Sequence, residues 1–157
     1  MPILDLDALG ATLSTGKRLM GLDVGDKTIG VALSDSLLMT ASPVEVIRRT
    51  KFTADAEKLI ALIRGREAAG LILGLPVNMD GTEGPRCQSV RQFAANLLQK
   101  IDLPVAFWDE RLSTAAVERM LVDEMDVSRA RRREVVDKAA AAYILQGALE
   151  ALRTRRG

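Results

Sequence analysis

Residues 18–26 alternate with period two. Met20, Leu22 and Val24 fall on one face, and Leu19, Gly21, Asp23 and Gly25 on the other, which predicts a strand. Asp26 and Lys27 supply a short polar turn, and residues 29–34 predict a returning antiparallel strand. A third strand is expected over 41–47, with Pro43 near its start marking a sheet edge. The period then changes. Leu59, Ile60, Leu62 and Ile63 form an apolar stripe behind Thr53, the expected N-cap, with Asp55 and Glu57 in the first turn. After Gly70, residues 71–75 are apolar without alternation, as in a strand covered on both faces. A polar loop over 76–84 leads to a helix over 85–100 with Pro85 in its first turn. A strand over 105–109 follows Pro104, Ser113 is placed to cap a helix over 114–122, and a last long helix runs over 131–153. Residues 1–17 read as a short amphipathic lead-in.

Three strands followed by helix, strand, helix, strand, helix, helix predict one α/β domain over residues 1–157. Its sheet is mixed, with antiparallel opening strands and then strand–helix alternation, and helices cover both faces. No linker or internal repeat interrupts it.

Composition narrows the chemistry. Apolar residues make up 48% of the 157 and charged residues 27%, a globular profile. The apolar runs are far too short to span a membrane, and the acidic start MPILDLDALG lacks the basic region of a signal peptide. With a single cysteine, Cys87, this predicts a cytoplasmic protein without an internal disulfide. Histidine is absent, so catalysis through Ser-His-Asp or Cys-His systems and zinc sites built on histidine are excluded. Cys87 is expected to pack rather than react. The net charge of +1 means that any nucleic-acid surface must be local.

Three acids stand in unusual places. Asp23 lies within a strand, with Gly21 and Gly25 on its own face. The glycines either clear room for a metal or phosphate or simply belong to a strand end and its turn. Asp109 and Glu110 lie where a strand gives way to a helix, a frequent location of α/β sites. Asp137 lies about two turns inside the last helix, where Asp is a poor helix former. Three convergent carboxylates from these elements would bind one or two Mg²⁺ or Mn²⁺ ions, the arrangement for phosphodiester cleavage without histidine.

The stretches GLDVGDKTIGVALSD, GLPVNMDGTEGPR, DERLSTAAVERML and VVDKAAAAYIL, in this order, resemble the YqgF or RuvX family, related to RuvC nucleases and ribonuclease-H-like in fold. The resemblance covers most of residues 19–150 and leaves the first 17 outside. It implies an acidic triad of Asp23, Glu110 and Asp137, acting as catalytic residues and metal ligands; choosing Glu110 over Asp109 rests on the family pattern alone. It also implies a metal-dependent nuclease maturing the 5′ end of pre-16S ribosomal RNA, the usual description of a family first assigned as Holliday junction resolvases. The partners expected are structured nucleic acid, RNA ahead of DNA, and ribosomal precursor particles. There is no membrane partner, and both monomer and homodimer remain open.

Around the acids, Lys27, Asn78, Arg86, Arg111 and Ser113 are candidate substrate contacts. The 76–84 loop, with Gly81 and Gly84 free to take positive φ, is expected to meet substrate. Arg129, Arg131, Arg132 and Arg133 crowd the N-terminal end of the last helix, where the helix dipole disfavours cations. Phosphate binding explains them better than a solvated charge run. The competing functions are a DNA resolvase, a non-catalytic RNA-binding or transcription-associated module, and an actin-like sugar kinase, which needs two related domains.

Overall fold

The computed structural model describes the backbone of residues 3–112 and 129–156 and the side chains of 3–112 and 139–154. One five-stranded sheet organises it. The strands β1 (Arg18–Val24), β2 (Thr28–Ser34), β3 (Ala41–Arg48), β4 (Ala68–Leu75) and β5 (Val105–Asp109) are ordered β3-β2-β1-β4-β5. β1, β2 and β3 pair antiparallel, while β1–β4 and β4–β5 are parallel. Pro43 therefore sits on an edge strand, beside a register shift opposite Val31 and Ala32. There its missing N–H costs least.

The alternation of β1 divides the core as its sequence requires. Met20, Leu22 and Val24 join Ile29, Val31, Leu71, Leu73 and Leu75 beneath α2 (Phe52–Gly65) and α3 (Pro85–Leu98). Leu19, Ala32, Ile72, Ala106 and Trp108 join the second core, beneath α1 (Leu6–Thr12) and the C-terminal helix α4 (Arg129–Arg156). Helices thus cover both faces, which is why β4, with a neighbour on each side, shows no alternation.

The lead-in is an integral part of this packing. Leu4 N–H donates to the Val105 carbonyl at 2.8 Å, Asp5 caps α1 by accepting from Ala8 N–H at 2.7 Å, and Leu6 and Leu9 are buried in the α4 core.

Three local expectations change. Thr53 lies inside α2, whose N-cap Lys51 makes no side-chain capping bond. Fully buried Asp55 instead accepts from the Thr50 N–H and hydroxyl at 3.1 and 3.2 Å, so the helix entry is held from within its first turn. Gly70 lies inside β4, which begins at Ala68, and α4 begins at Arg129, before the expected 131. The expected helix over 114–122 and its cap Ser113 lie outside the described residues.

Candidate active site

The C-terminal ends of parallel β1, β4 and β5 meet under α4, and two of the three predicted acids are described there with their side chains. Asp23 is half-buried on β1, paired with Gly30 of β2. It shares the α4 face with Gly21, against whose Cα lie Leu145 and the Ala141 carbonyl: a Cβ on Gly21 would stand 2.8 Å from Leu145 Cβ and 3.0 Å from Ala141 O. Gly25 closes the turn beyond, where its N–H donates to the Thr28 carbonyl at 2.9 Å. Among the described residues, both glycines have a packing role. Gly21 admits a helix, and Gly25 belongs to a tight turn.

The glycine that gives space to an acid is Gly74 of β4. A Cβ there would stand 2.7 Å from Glu110 Oε1 and 3.2 Å from Glu110 Cγ. Glu110, one residue past β5, therefore reaches over the neighbouring strand. The β1–β4 register pairs Leu22 with Leu73, so one step further Gly74 stands beside Asp23, about 4.8 Å away across the ladder. The carboxylates of Asp23 and Glu110 thus belong to the same corner of the sheet. Sequence reading missed Gly74, although a glycine inside an apolar strand is a signal of close approach.

The neighbouring acid is turned elsewhere. Asp109 accepts from the Arg111 backbone N–H at 2.9 Å and from its guanidinium, with Nη2 at 2.7 Å. The Arg111 guanidinium holds the Asp109 carboxyl below its usual range, against the opposing effect of partial burial. Arg111 Nη1 also approaches the Met79 carbonyl at 3.4 Å. It thereby links the end of β5 to the loop after β4.

Position 137 is fixed by helix geometry. Gln146 and Arg153 reach Ala41 N–H and the Met39 carbonyl at 2.9 and 2.8 Å. These lie at the end of the sheet where β1 begins, so α4 runs back along β1. Residue 137 precedes Ala141 by one turn, about 6 Å along the axis. Asp23 follows Gly21 by two residues, about 6.6 Å along the strand. The backbone of residue 137 is therefore level with Asp23; its side chain lies outside the described set. Among the described residues, no three acidic, cysteine or histidine side chains form a metal-binding group.

The loop after β4 is internally bonded. Gly81 takes φ +89°, Asn78 Nδ2 donates to the Thr82 hydroxyl at 3.0 Å, and Asp80 accepts from that hydroxyl at 2.6 Å. These bonds hold the Asp80 carboxyl below its usual range. Gly84, expected to be free for positive φ, has φ −92° and is the N-cap of α3. Arg91, which sequence reading passed over, anchors the loop by a two-pronged bond to Glu83 at 2.7 and 2.8 Å while lying over Phe107 at 4.9 Å. Lys27 and Arg86 are exposed, on the β1–β2 turn and in the first turn of α3. Arg129, Arg131, Arg132 and Arg133 lie in the opening turns of α4, where only the backbone is described. Cys87 is fully buried, and burial pushes its thiol up, as expected for a packing residue. No helix among the described residues is long and apolar enough to cross a membrane.

Known proteins resemble this chain at two levels, in fold and in sequence. Thermus thermophilus RuvC in complex with a Holliday junction substrate superposes with a TM-score of 0.54 at 10% identity, covering 90% of this chain and 96% of RuvC. A second T. thermophilus RuvC structure gives 0.53 with 89% and 96% covered. The fold is thus ribonuclease-H-like. In sequence, proteins of Rhodospirillum rubrum and Phenylobacterium zucineum are 62% and 61% identical over 156 and 154 residues. The matches cover 99% and 98% of this chain and 97% and 99% of theirs, and both proteins carry the name "Putative pre-16S rRNA nuclease". The model of the RuvX family, described as a Holliday junction resolvase, matches residues 17–151, and the chain belongs to that family.

Proposed function

We propose that this chain is a divalent-metal-dependent nuclease that processes the 5′ end of pre-16S ribosomal RNA in the cytoplasm, with Asp23, Glu110 and Asp137 as its metal-holding catalytic acids. The observation that carries the reading is the Glu110 carboxylate lying over Gly74, in the strand next to Asp23. Two carboxylates brought to one corner of the sheet supply the oxygen donors that a hard divalent cation takes.

The donor set fits Mg²⁺ or Mn²⁺. It consists of carboxylate oxygens in a chain without histidine, whose one thiol is buried elsewhere. When bound, such ions supply an activated water and steady a leaving oxygen. The protein's part is to fix its acids on a strand, a strand end and a helix, and to hold the nucleic-acid backbone beside them. In this reading Lys27, Asn78, Arg86, Arg111, Ser113, Arg129, Arg131, Arg132 and Arg133 are the residues that contact it. The names of the relatives favour ribosomal precursor RNA.

The test offers purified protein precursor 16S RNA, unrelated structured RNA and four-way DNA junctions, with Mg²⁺, Mn²⁺ or EDTA. Cleavage near the 5′ end of the precursor is expected, and Asp23→Asn, Glu110→Gln and Asp137→Asn should each lose most of it while melting as folded proteins. Preferential, symmetric cutting of the junction would replace this reading with a DNA resolvase. Wild-type rates in any of the three variants would remove that residue from the triad.

A further inference from the structure

The edge of the sheet beside Asp23 carries a second basic feature, separate from the arginine run of α4. β3 ends in Arg48, and the chain continues Arg49-Thr50-Lys51 into α2. The register pairs Arg48 with Thr28 and Ile47 with Ile29. Ile29 and Ile47 point into the α2–α3 core, so Arg48 belongs to the opposite face, the one that carries Asp23. From Asp23 the ladder runs through Gly30 to Val46, two strands away, and Arg48 lies two residues further. With ordinary strand spacings, the Cα atoms of Asp23 and Arg48 are about 12 Å apart.

Arg49 is the member of the run that turns inward. Its Nη1 donates to the Gly25 carbonyl at 2.6 Å and its backbone N–H to the Lys27 carbonyl at 2.8 Å. Its guanidinium lies over Phe93 at 5.5 Å, with Nε 4.0 Å from the carboxylate of fully buried Asp55. One arginine thus fastens the turn after Asp23 to α2 and α3. Its neighbours Arg48 and Lys51 are exposed, as is Lys27 on the fastened turn. None of these three has an ion-pair partner among the described residues. Asp26, in the same turn, offsets only one of the three charges.

We propose that Lys27, Arg48 and Lys51 form a phosphate-binding subsite for the nucleic-acid backbone on the β3 side of the site, held in place by the Arg49–Asp55 post. This rests on the nuclease reading for what the backbone is doing there. Unpaired cations on a braced corner attract phosphates without reading bases.

The experiment measures binding in an Asp23→Asn background, so that no cleavage is needed. The probe is a short fluorescein-labelled single-stranded RNA of mixed sequence, titrated at several salt concentrations. Arg48→Gln with Lys51→Gln should weaken binding and flatten the slope of log affinity against log salt by about 1.4, at roughly 0.7 per lost contact. The control is Lys17→Gln with Lys100→Gln, which removes the same charge from the opposite end of the sheet and should leave the slope as it was. An unchanged slope in the Arg48 and Lys51 variant overturns the proposal. So does an equal flattening in the control, or an absence of salt-dependent binding in the parent. A parent that binds in this way, from a wild type that never cuts RNA, would sink the nuclease reading and leave the subsite standing.

Discussion

Replacing Gly74 by alanine inserts one methyl group into the most crowded point of the site. The new Cβ would stand 2.5 Å from Ile144 Cδ1 and 2.7 Å from Glu110 Oε1. Carbon–carbon contacts are comfortable at about 3.5–4.0 Å, so each neighbour must withdraw by up to roughly 1 Å. Both atoms are the far ends of flexible side chains, which limits the cost to the lower part of the usual overpacking range, about 1–2 kcal/mol. For a chain of this size that lowers Tm by about 2–8 °C. Glu110 cannot withdraw without leaving the strand beside Asp23. A misplacement of about 1 Å at a reacting group costs on the order of 10²-fold in rate. The expected result is a folded protein with kcat down by about one to two orders of magnitude. Gly21→Ala is the comparison. Its Cβ would meet Leu145 Cβ and the Ala141 carbonyl, which move only if α4 moves, so its loss of Tm should be larger. Calorimetry and single-turnover cleavage of the RNA substrate on both variants decide the matter. Gly74→Ala with wild-type kcat would refute the reasoning, because Glu110 would then be dispensable at the position where the structure holds it.

Removing divalent ions with EDTA should abolish cleavage and adding Mg²⁺ or Mn²⁺ should restore it, with Zn²⁺ a poor substitute for want of soft ligands; full activity after rigorous chelation would require a different chemistry. Asp109, its carboxyl lowered chiefly by the Arg111 hydrogen bond, stabilises the fold above the ordinary carboxylate pKa of about 3.9, and that contribution is lost as pH falls through the lower folded value. Urea midpoints of wild type and Asp109→Asn should therefore differ at pH 7 and converge in acid below about pH 4, whereas a gap independent of pH would assign the loss to something other than the ion pair. Replacing two of Arg129, Arg131, Arg132 and Arg133 by alanine should weaken binding to all nucleic acids alike and flatten the salt dependence by roughly 0.7 per lost contact; an unchanged slope would mark them as a solvated surface.

Much of the fold was legible because its signals are local. Period-two alternation in β1 and β2, the uninterrupted apolar run of β4 and the Pro85 entry to α3 each state an element in its own residues. The misses have a common origin in tertiary contacts. Thr53 has the chemistry of an N-cap, but the bond that matters runs from Thr50 to Asp55, and it depends on a carboxylate that is buried only once α2 packs. The lead-in reads as peripheral because Leu6 and Leu9 find their partners in α4, at the other end of the chain. Arg49 and Arg91 read as surface charges, since nothing in the sequence tells which arginines will lie over Phe93 and Phe107.

The choice between Asp109 and Glu110 shows where strand alternation stops being readable. Trp108 packs in the α4 core and Phe107 against the opposite one, so the alternation, carried forward, turns Asp109 away from α4 and Glu110 toward it. Sequence alone lacked two facts: which core Trp108 joins, and whether the alternation survives the end of β5. The first becomes visible at Gly147, where a Cβ would stand 2.9 Å from Trp108 Nε1; the missing side chain leaves room for the indole against the helix. The second is set by Arg111, which draws Asp109 into a local pair and leaves the next side chain to continue the pattern past the strand. An acid on each face of one strand end then has a division of labour. Asp109 orders the loop through Arg111, and Glu110 crosses Gly74 toward Asp23. Exchanging their roles would require the strand to slip by one residue, which would also move Trp108 out of its core.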